Sequence, residues 1–460
     1  MCADLDEAIL ERVRQAIPKN VIDIANVLDR AGHRTWVVGG SLRDQLRKVM
    51  GQADISPGAD WDLATDARPE TVQRLFRRVI PTGIKHGTVT VLIGKQGYEV
   101  TTLRGEVGYS DGRRPDSVYY VDDIREDLAR RDFTVNAIAY DPLRQELVDP
   151  FDGIGDLRRR IIRAVGLASD RFGEDGLRVL RAARFVATLE FSLDPETAAA
   201  IRPSLESFAK VSPERVREEW VKAMKSNKPS RAFQVMREHG LLEVTAPVLA
   251  SGETQLDMAL RTVDLCPISV CLRFAALLHN LGAPTEAPVG ASPAFPATHD
   301  QRAAELAHGL LASLRFSNKD RDHIVALVRH HSPVDPHAST DAELRRWLRR
   351  VGPELLPDLE PLMLAIARAR NDAELEADIE SLFARAHALL AAAPPLKIGD
   401  LKVSGADLQR ELHLAPGRVI GELLKALLDL VVESPEQNEP DRLLKAAREW
   451  LRDNEPGSSR

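Results

Sequence analysis

The chain has 460 residues, of which 44% are hydrophobic and 28% charged, with a formal net charge of −7. That length suggests roughly three domains, the composition is ordinary for a globular protein, and no apolar run approaches the roughly 20 residues of a membrane span. The N-terminal stretch Met1-Cys2-Ala3-Asp4-Leu5-Asp6-Glu7 is acidic and lacks a signal-peptide core. Three cysteines, Cys2, Cys266 and Cys271, make no disulfide framework, so a reducing cytoplasm is the expected compartment. The negative total argues against a nucleic-acid partner. Locally the balance reverses: from Asp156 to Arg184 there are eight arginines and four acids, an excess that reads either as a solvated helix face or as an attraction for RNA phosphates.

Residues 5–31 carry a helical period that stops at Gly32. Thr35-Trp36-Val37-Val38 predicts a short apolar strand ending at Gly39-Gly40, with Ser41 suited to cap the helix that follows. Residues 60–65 predict a strand, and Pro69 starts a helix expected to run to about residue 78. The β-rich runs 88–93 and 98–103, joined by Gly94-Lys95-Gln96-Gly97, predict a hairpin. Residues 104–121 are polar and predict a long mobile loop. From about residue 123 the pattern is helical almost throughout, so strands cluster in the first third, giving an α+β head followed by an all-helical body. Residues 282–296 predict a loop and 455–460 a frayed tail. No internal repeat is visible. The expected boundaries are 1–150 for the head, 151–240 for a helical neck, 241–345 for a further helical domain and 346–460 for a C-terminal helical region.

Chemistry concentrates in a few stretches. In Gly39-Gly40-Ser41-Leu42-Arg43-Asp44, Gly40 lets the backbone approach a phosphate and Arg43 can grip it with two parallel hydrogen bonds. Taken alone, these are equally a turn glycine and a surface arginine. Asp60 and Asp62 lie one residue apart, so on a strand both project from one face and offer oxygen donors to a pair of Mg²⁺ ions. An isolated Asp-x-Asp more often caps a turn. Glu99, on the predicted hairpin, is a candidate third acid. In Glu174-Asp175-Gly176-Leu177-Arg178-Val179-Leu180-Arg181-Ala182-Ala183-Arg184-Phe185, Asp175 and Arg178 are three residues apart, with Arg181 and Arg184 continuing a polar stripe on one helix. An ionised Asp only accepts hydrogen bonds and an Arg only donates. Such a pair fits a base offering an amino donor beside a ring-nitrogen acceptor, as cytosine and adenine do. Uracil and guanine would leave both groups unpaired, at about 1–3 kcal/mol for each buried group. The plainer reading is a helical ion-pair ladder.

Together with Arg130-Arg131-Asp132-Phe133-Thr134-Val135-Asn136-Ala137, these stretches resemble, in order and spacing, the class II tRNA nucleotidyltransferases, the CCA-adding enzyme and poly(A) polymerase family. The resemblance spans residues 30–225 and, more weakly, 255–335. It implies a polymerase-β-like mixed sheet with helices, followed by an all-helical neck, body and tail. It also implies template-independent addition of C, C and A to the tRNA 3′ end from CTP and ATP, with release of pyrophosphate. Asp60 and Asp62 would hold Mg²⁺, and Gly40, Arg43 and Arg131 would position the triphosphate and sugar. Asp132 and Asn136 would order the ribose side, or simply cap their helix; Asp175 and Arg178 would choose the base, and Arg181 and Arg184 would add base or phosphate contacts. The expected partners are tRNA, ATP and CTP, with no membrane and an open oligomeric state.

The stretch 104–121 resembles the loop kept by enzymes that add the terminal A, and 81–91, including His86, resembles the CCA-adding subgroup rather than the poly(A) polymerases. Ser212-Pro213-Glu214-Arg215-Val216-Arg217-Glu218-Glu219 resembles a last family motif and reads as scaffold for the recognition helix. The link from Leu46 to Asp60 is longer than the family's usual one. Leu277-Leu278-His279-Asn280 resembles the His-Asp box of HD phosphohydrolase domains, with asparagine in place of aspartate and no histidine near Met258. An HD-like helical fold with a degraded metal site is therefore expected, and His299, His323, His330 and His331 would be structural or RNA contacts. Two alternatives stay open: an enzyme adding only the terminal A to tRNA ending in CC, and a catalytically inert RNA-binding homologue.

Overall fold

The computed structural model describes residues 7–52, 60–84, 87–107, 117–283, 297–332 and 340–454. The link before Asp60 (53–59), His86, most of the 104–121 loop (108–116), the 284–296 stretch and the 455–460 tail lie outside them. The chain forms two compact units, residues 1–250 and 251–460.

The first unit opens with α1 (Glu7–Ala16) and α2 (Lys19–Arg30). The single helical period expected over 5–31 is cut at Pro18, which sits in extended backbone ahead of α2 and has no N–H to continue a helix. Next come β1 (Thr35–Val38) and α3 (Gly39–Val49). Here α3 starts three residues earlier than expected, with Val38 rather than Ser41 at the cap position. Ser41 therefore lies inside the first turn, and its hydroxyl donates to the Asp60 carbonyl instead of capping. Then follow β2 (Asp62–Thr65), α4 (Pro69–Leu75), β3 (Val79–Gly83), β4 (Thr88–Ile93) and β5 (Gln96–Thr102). The stretch read as one loop begins and ends in strand: β6 (Arg104–Val107) and β7 (Ser117–Tyr120) pair antiparallel as a separate two-stranded sheet.

After α5 (Ile124–Ala129), β8 (Ala139–Asp141) and β9 (Glu146–Val148) correct the expectation of helix from residue 123 onward. Three residues apiece are too few to display a period of two, so their strand character comes from pairing with β1. The main sheet runs β3-β4-β5-β2-β1-β8-β9. Only β2 and β5 pair in parallel, so the sheet is mixed. Trp36, Val38, Ala64, Leu103, Leu128 and Ala139 share a core against it. Beyond the sheet come α6 (Gly153–Arg159), β10 (Ile161–Ile162), α7 (Ala168–Glu174), α8 (Leu177–Leu189), β11 (Ser192–Leu193), α9 (Pro195–Ala199), α10 (Leu205–Phe208), α11 (Pro213–Met224), α12 (Ser230–Glu238), α13 (Leu241–Thr245) and α14 (Pro247–Ala250). Helices α11 and α12 both pack on α8, which fixes the face α8 turns elsewhere.

The described residues of the second unit are helical: α15 (Glu253–Leu265), α16 (Val270–Leu278), α17 (Ala297–Ser313), α18 (Asn318–His330), α19 (Asp341–Val351), α20 (Leu356–Arg370), α21 (Ala373–Ala391), α22 (Gly405–Leu412), α23 (Arg418–Glu433) and α24 (Pro440–Asp453). A reciprocal Thr340–Glu343 capping box starts α19. Leu423, Leu427, Val431 and Leu443 form a core between α23 and α24, each such side chain contributing about 1.5–3 kcal/mol on burial. No helix among the described residues is long and apolar enough to cross a membrane. The α+β head followed by helices is the architecture expected.

Candidate active site

The middle of the sheet positions the acids. Asp62 is the first residue of β2, with Val38 of β1 on one side and Glu99 of β5 on the other. Glu99 is thus beside Asp62 through strand register, although 37 residues later in the chain. Asp60 departs from expectation: it is exposed, precedes β2 and so is not held on the strand face. Its carbonyl is tied to Ser41. Burial, then the charge of Glu99, push the Asp62 carboxyl above its usual range; Arg131 opposes them and Asp60 adds to them. Acids that hinder one another's ionisation suit a divalent cation, which relieves the repulsion. The donor set fits the divalent metal that nucleotidyltransferases generally use.

The glycine turn is sterically most constrained at its first position. Gly39, not Gly40, has left-handed backbone (φ +79), and a Cβ there would stand 2.9 Å from Asp62 Oδ2. At Gly40 the nearest atom would be Arg43 Nη2, at 3.6 Å. Position 39 therefore excludes side chains for two independent reasons.

Arginines line the rest of a cleft of about 560 Å³, together with Gly39, Gly40, Asp62, Asp132, Asn136, Asp175 and Phe185. Most are already engaged. Arg43 turns its fork to Asp44 (2.9 Å for both bonds) and donates to Asn136 Oδ1 at 2.7 Å. Arg131 donates to the Asn136 carbonyl at 3.3 Å and to Asp127 at 3.4 Å, while its buried Nε has no partner. Asp132 accepts from the Phe133 N–H, from Asn136 and from Arg181 Nε at 2.8 Å. Burial alone would raise that carboxyl, but Arg181 and Asn136 outweigh it and hold Asp132 far below the usual carboxylate range. Arg184 stacks 3.8 Å from the Phe185 ring centroid and donates to Glu219 at 2.5 Å. Burial draws Arg184 down while Glu219 is also held low by Arg184 and Arg181; a guanidinium starts so high that both stay ionised.

The pair proposed from spacing as helical neighbours is arranged otherwise. Asp175 stands at the junction of α7 and α8, outside both, and its carboxylate accepts the Leu177 N–H at 3.0 Å. Its ion pair is with Arg215 of α11, at 3.1 and 2.6 Å. Arg178 pairs with Glu174 at 2.5 Å and donates to the Arg171 and Arg130 carbonyls. Asp175 and Arg178 still line one cleft with Asp62, Arg43, Arg131, Arg181 and Arg184. Arg215 and Glu219 reach these residues from α11, the segment read as scaffold. Their four-residue spacing marks one helix face, but nothing local says what that face touches. Gly176 lets α8 begin hard against α10, since a Cβ there would strike the Ser207 carbonyl.

A mixed sheet presenting an acid between strands, beside a glycine turn and an arginine cleft, defines a nucleotidyltransferase. Residues 35–163 match the poly A polymerase head domain, 190–252 the probable RNA and SrmB-binding site of polymerase A, and 298–447 the putative tRNA nucleotidyltransferase domain 2. The CCA-adding enzyme of Lactobacillus delbrueckii subsp. bulgaricus is 47% identical over 251 residues, 54% of this chain and 60% of that one, so the match spans under two thirds of that relative. The CCA-adding enzyme of Lactobacillus helveticus is 34% identical over 424 residues, 92% of this chain and 94% of that one. The structure of the Bacillus stearothermophilus CCA-adding enzyme in complex with CTP superposes with a TM-score of 0.72 at 31% identity, covering 98% of this chain and 99% of that one. The chain belongs to the CCA-adding enzyme family of tRNA nucleotidyltransferases.

Proposed function

We propose that this protein adds C, C and A to the 3′ end of tRNA in the cytoplasm, from CTP and ATP, with Mg²⁺ as its metal. The observation carrying this reading is one cleft lined by Asp62, Arg43 and Arg131 on the sheet side and by Asp175 and Arg178 on the helical side. In the proposed reaction the tRNA 3′-hydroxyl attacks the α-phosphorus of the nucleotide and pyrophosphate leaves. Asp60 and Asp62 would hold the metal, which would supply charge neutralisation and a more acidic hydroxyl. Gly40, Arg43 and Arg131 position the triphosphate and sugar. The orphaned Arg131 Nε is a donor available for this, and Arg43 would exchange Asp44 for phosphate. Asp132 and Asn136 hold Arg181 and Arg43, and so the shape of the wall.

Base choice rests on what the pair has left to offer. A carboxylate has about four acceptor positions; Leu177 and Arg215 use three at Asp175, leaving one for an amino group. Arg178 has three of its N–H groups engaged, leaving two of a guanidinium's five for a ring nitrogen. Cytosine and adenine satisfy both. Arg181 and Arg184 line the same wall beside Phe185 and would add base or phosphate contacts. The helices of residues 346–460 would hold the tRNA by shape and phosphate contacts.

The test is incorporation of labelled CTP and ATP into tRNA lacking CCA and tRNA ending in CC. Addition of both nucleotides to the first substrate is expected. ATP addition to the second alone would make this an A-adding enzyme, and no incorporation into either would make it an inert RNA-binding homologue.

A further inference from the structure

The second unit carries a polar cluster that the cleft does not use. His279 follows the last turn of α16, His331 follows α18, and His299 and Asp300 sit in the first turn of α17. These helices pack together, which brings three chain-distant ends to one point. His299, Asp300 and His331 each offer a ligand atom within 4.8 Å of the others. The His279 ring lies 5.2 Å from that of His331, edge to face.

Side-chain orientation gives this cluster its meaning. The Nδ1 of His279 is 2.7 Å from the Ala276 carbonyl, and that of His331 is 2.6 Å from the Val328 carbonyl. A carbonyl only accepts, so in both rings Nδ1 carries the hydrogen and Nε2 keeps a lone pair. Both Nε2 atoms are buried and have no hydrogen-bond partner; the residues are 0% and 3% exposed. An unmet buried acceptor costs about 1–3 kcal/mol, and two meeting in one cluster call for a shared partner. Imidazoles whose Nδ1–H is anchored on a backbone carbonyl and whose Nε2 is left as an unpaired acceptor are oriented as metal-bound histidines are. Asp300 Oδ1 is likewise oriented, by the Ser332 hydroxyl at 2.7 Å.

We propose that His279, His299, Asp300 and His331 form a second metal site, remote in sequence from Asp60 and Asp62, that takes a borderline divalent transition ion such as Zn²⁺ or Co²⁺ and ties together the ends of α16, α17 and α18. Three imidazoles and one carboxylate are the donor set for such ions, whereas Mg²⁺ prefers oxygen throughout. Donors around a tetrahedral ion with bonds of about 2.1 Å stand about 3.4 Å apart, so the side chains close inward by about an ångström on binding. Arg370 adds positive charge nearby, which Asp300 offsets. A cavity of about 570 Å³, lined by Asp300, Ser332, Arg329, Trp347 and Arg350, adjoins the cluster at Asp300. The asparagine at 280 suggested a site too poor in charge for metal; Asp300, from the next helix, supplies the missing carboxylate.

The experiment titrates metal-stripped full-length protein with Co²⁺, following the visible d–d bands of a nitrogen-rich site, and measures the midpoint of thermal unfolding with and without Zn²⁺. Wild type and Asp62→Asn should each take one equivalent in this site and gain Tm from Zn²⁺. His331→Gln and His279→Gln should lose the bands and the Tm gain. Asp300→Asn, isosteric and therefore folded, should bind Co²⁺ about tenfold or more weakly. Absence of the bands in wild type would overturn the proposal, as would bands unchanged in all three variants.

Discussion

The two units each bury a polar cluster, and the clusters are opposite in kind. Around the cleft, charges are matched in advance: Asp132 with Arg181, Glu219 with Arg184, Asp175 with Arg215. Around His331 the group is mostly imidazole, with one carboxylate, Asp300, and two ring nitrogens have no hydrogen-bond partner. Breaking a buried ion pair by removing one partner is costly, about 3–5 kcal/mol, so the cleft wall is rigid and its spare hydrogen-bonding capacity small and directed. The imidazole cluster instead keeps acceptor capacity that nothing around it uses. On the readings proposed above, the first cluster reads a ligand's edge and the second takes a metal ion.

The largest expected effect tests the head's side of this contrast. Asp62→Asn removes a donor and the repulsion with Glu99 together, so nucleotide incorporation should fall by about a thousandfold or more, as loss of several kcal/mol of charge stabilisation requires. Circular dichroism should be unchanged. A mutant retaining a tenth of wild-type activity would remove Asp62 from the metal site.

Acid separates the clusters next. His331 has its pKa lowered from 6.5 to about 4, so the folded state binds fewer protons than the unfolded chain in between. Its contribution is therefore complete above about pH 6.5 and declines as pH falls towards 4, by about 3 kcal/mol. Asp132 and Glu219 are held below the ordinary carboxylate range, so their contribution persists until pH falls through about 4. Urea unfolding of metal-free protein at pH 7 and pH 5 should show the loss in wild type and much less of it in His331→Asn. Equal losses in the two would remove imidazole burial as the cause.

Base choice gives an intermediate effect. Asp175→Ala with Arg178→Ala should bring UTP and GTP to within reach of CTP and ATP, closing about 1–3 kcal/mol of discrimination, read as kcat/KM ratios. If the double mutant rejects UTP and GTP as firmly as the parent, selection lies elsewhere in the cleft. Arg215→Ala should act in the same direction but more weakly, by roughly 1 kcal/mol, because Asp175 stays in place on the Leu177 N–H. Discrimination unchanged in Arg215→Ala would show that Asp175 does not need its ion pair to be oriented.

Local pattern was enough for β1, β4 and β5, for the helix beginning at Pro69, and for the acids and arginines as residue types, because strand alternation, glycine turns and short motifs are properties of neighbouring residues. It was not enough for β8 and β9, whose three residues become strand by pairing with β1, nor for the Pro18 break, where periodicity on both sides masked the missing N–H. What the sequence by itself determined was the chemistry on offer: carboxylates able to hold a divalent cation, arginines able to grip phosphates, and an accepting and a donating group of the kind a base edge could meet. Only the tertiary structure decided the partnerships, putting Glu99 beside Asp62, Arg215 on Asp175, Gly39 rather than Gly40 against the carboxylate, and Asp300 among the histidines. The physical reason is that residue type sets what a group can donate or accept, whereas pairing across tens of residues depends on which helix and strand faces pack together.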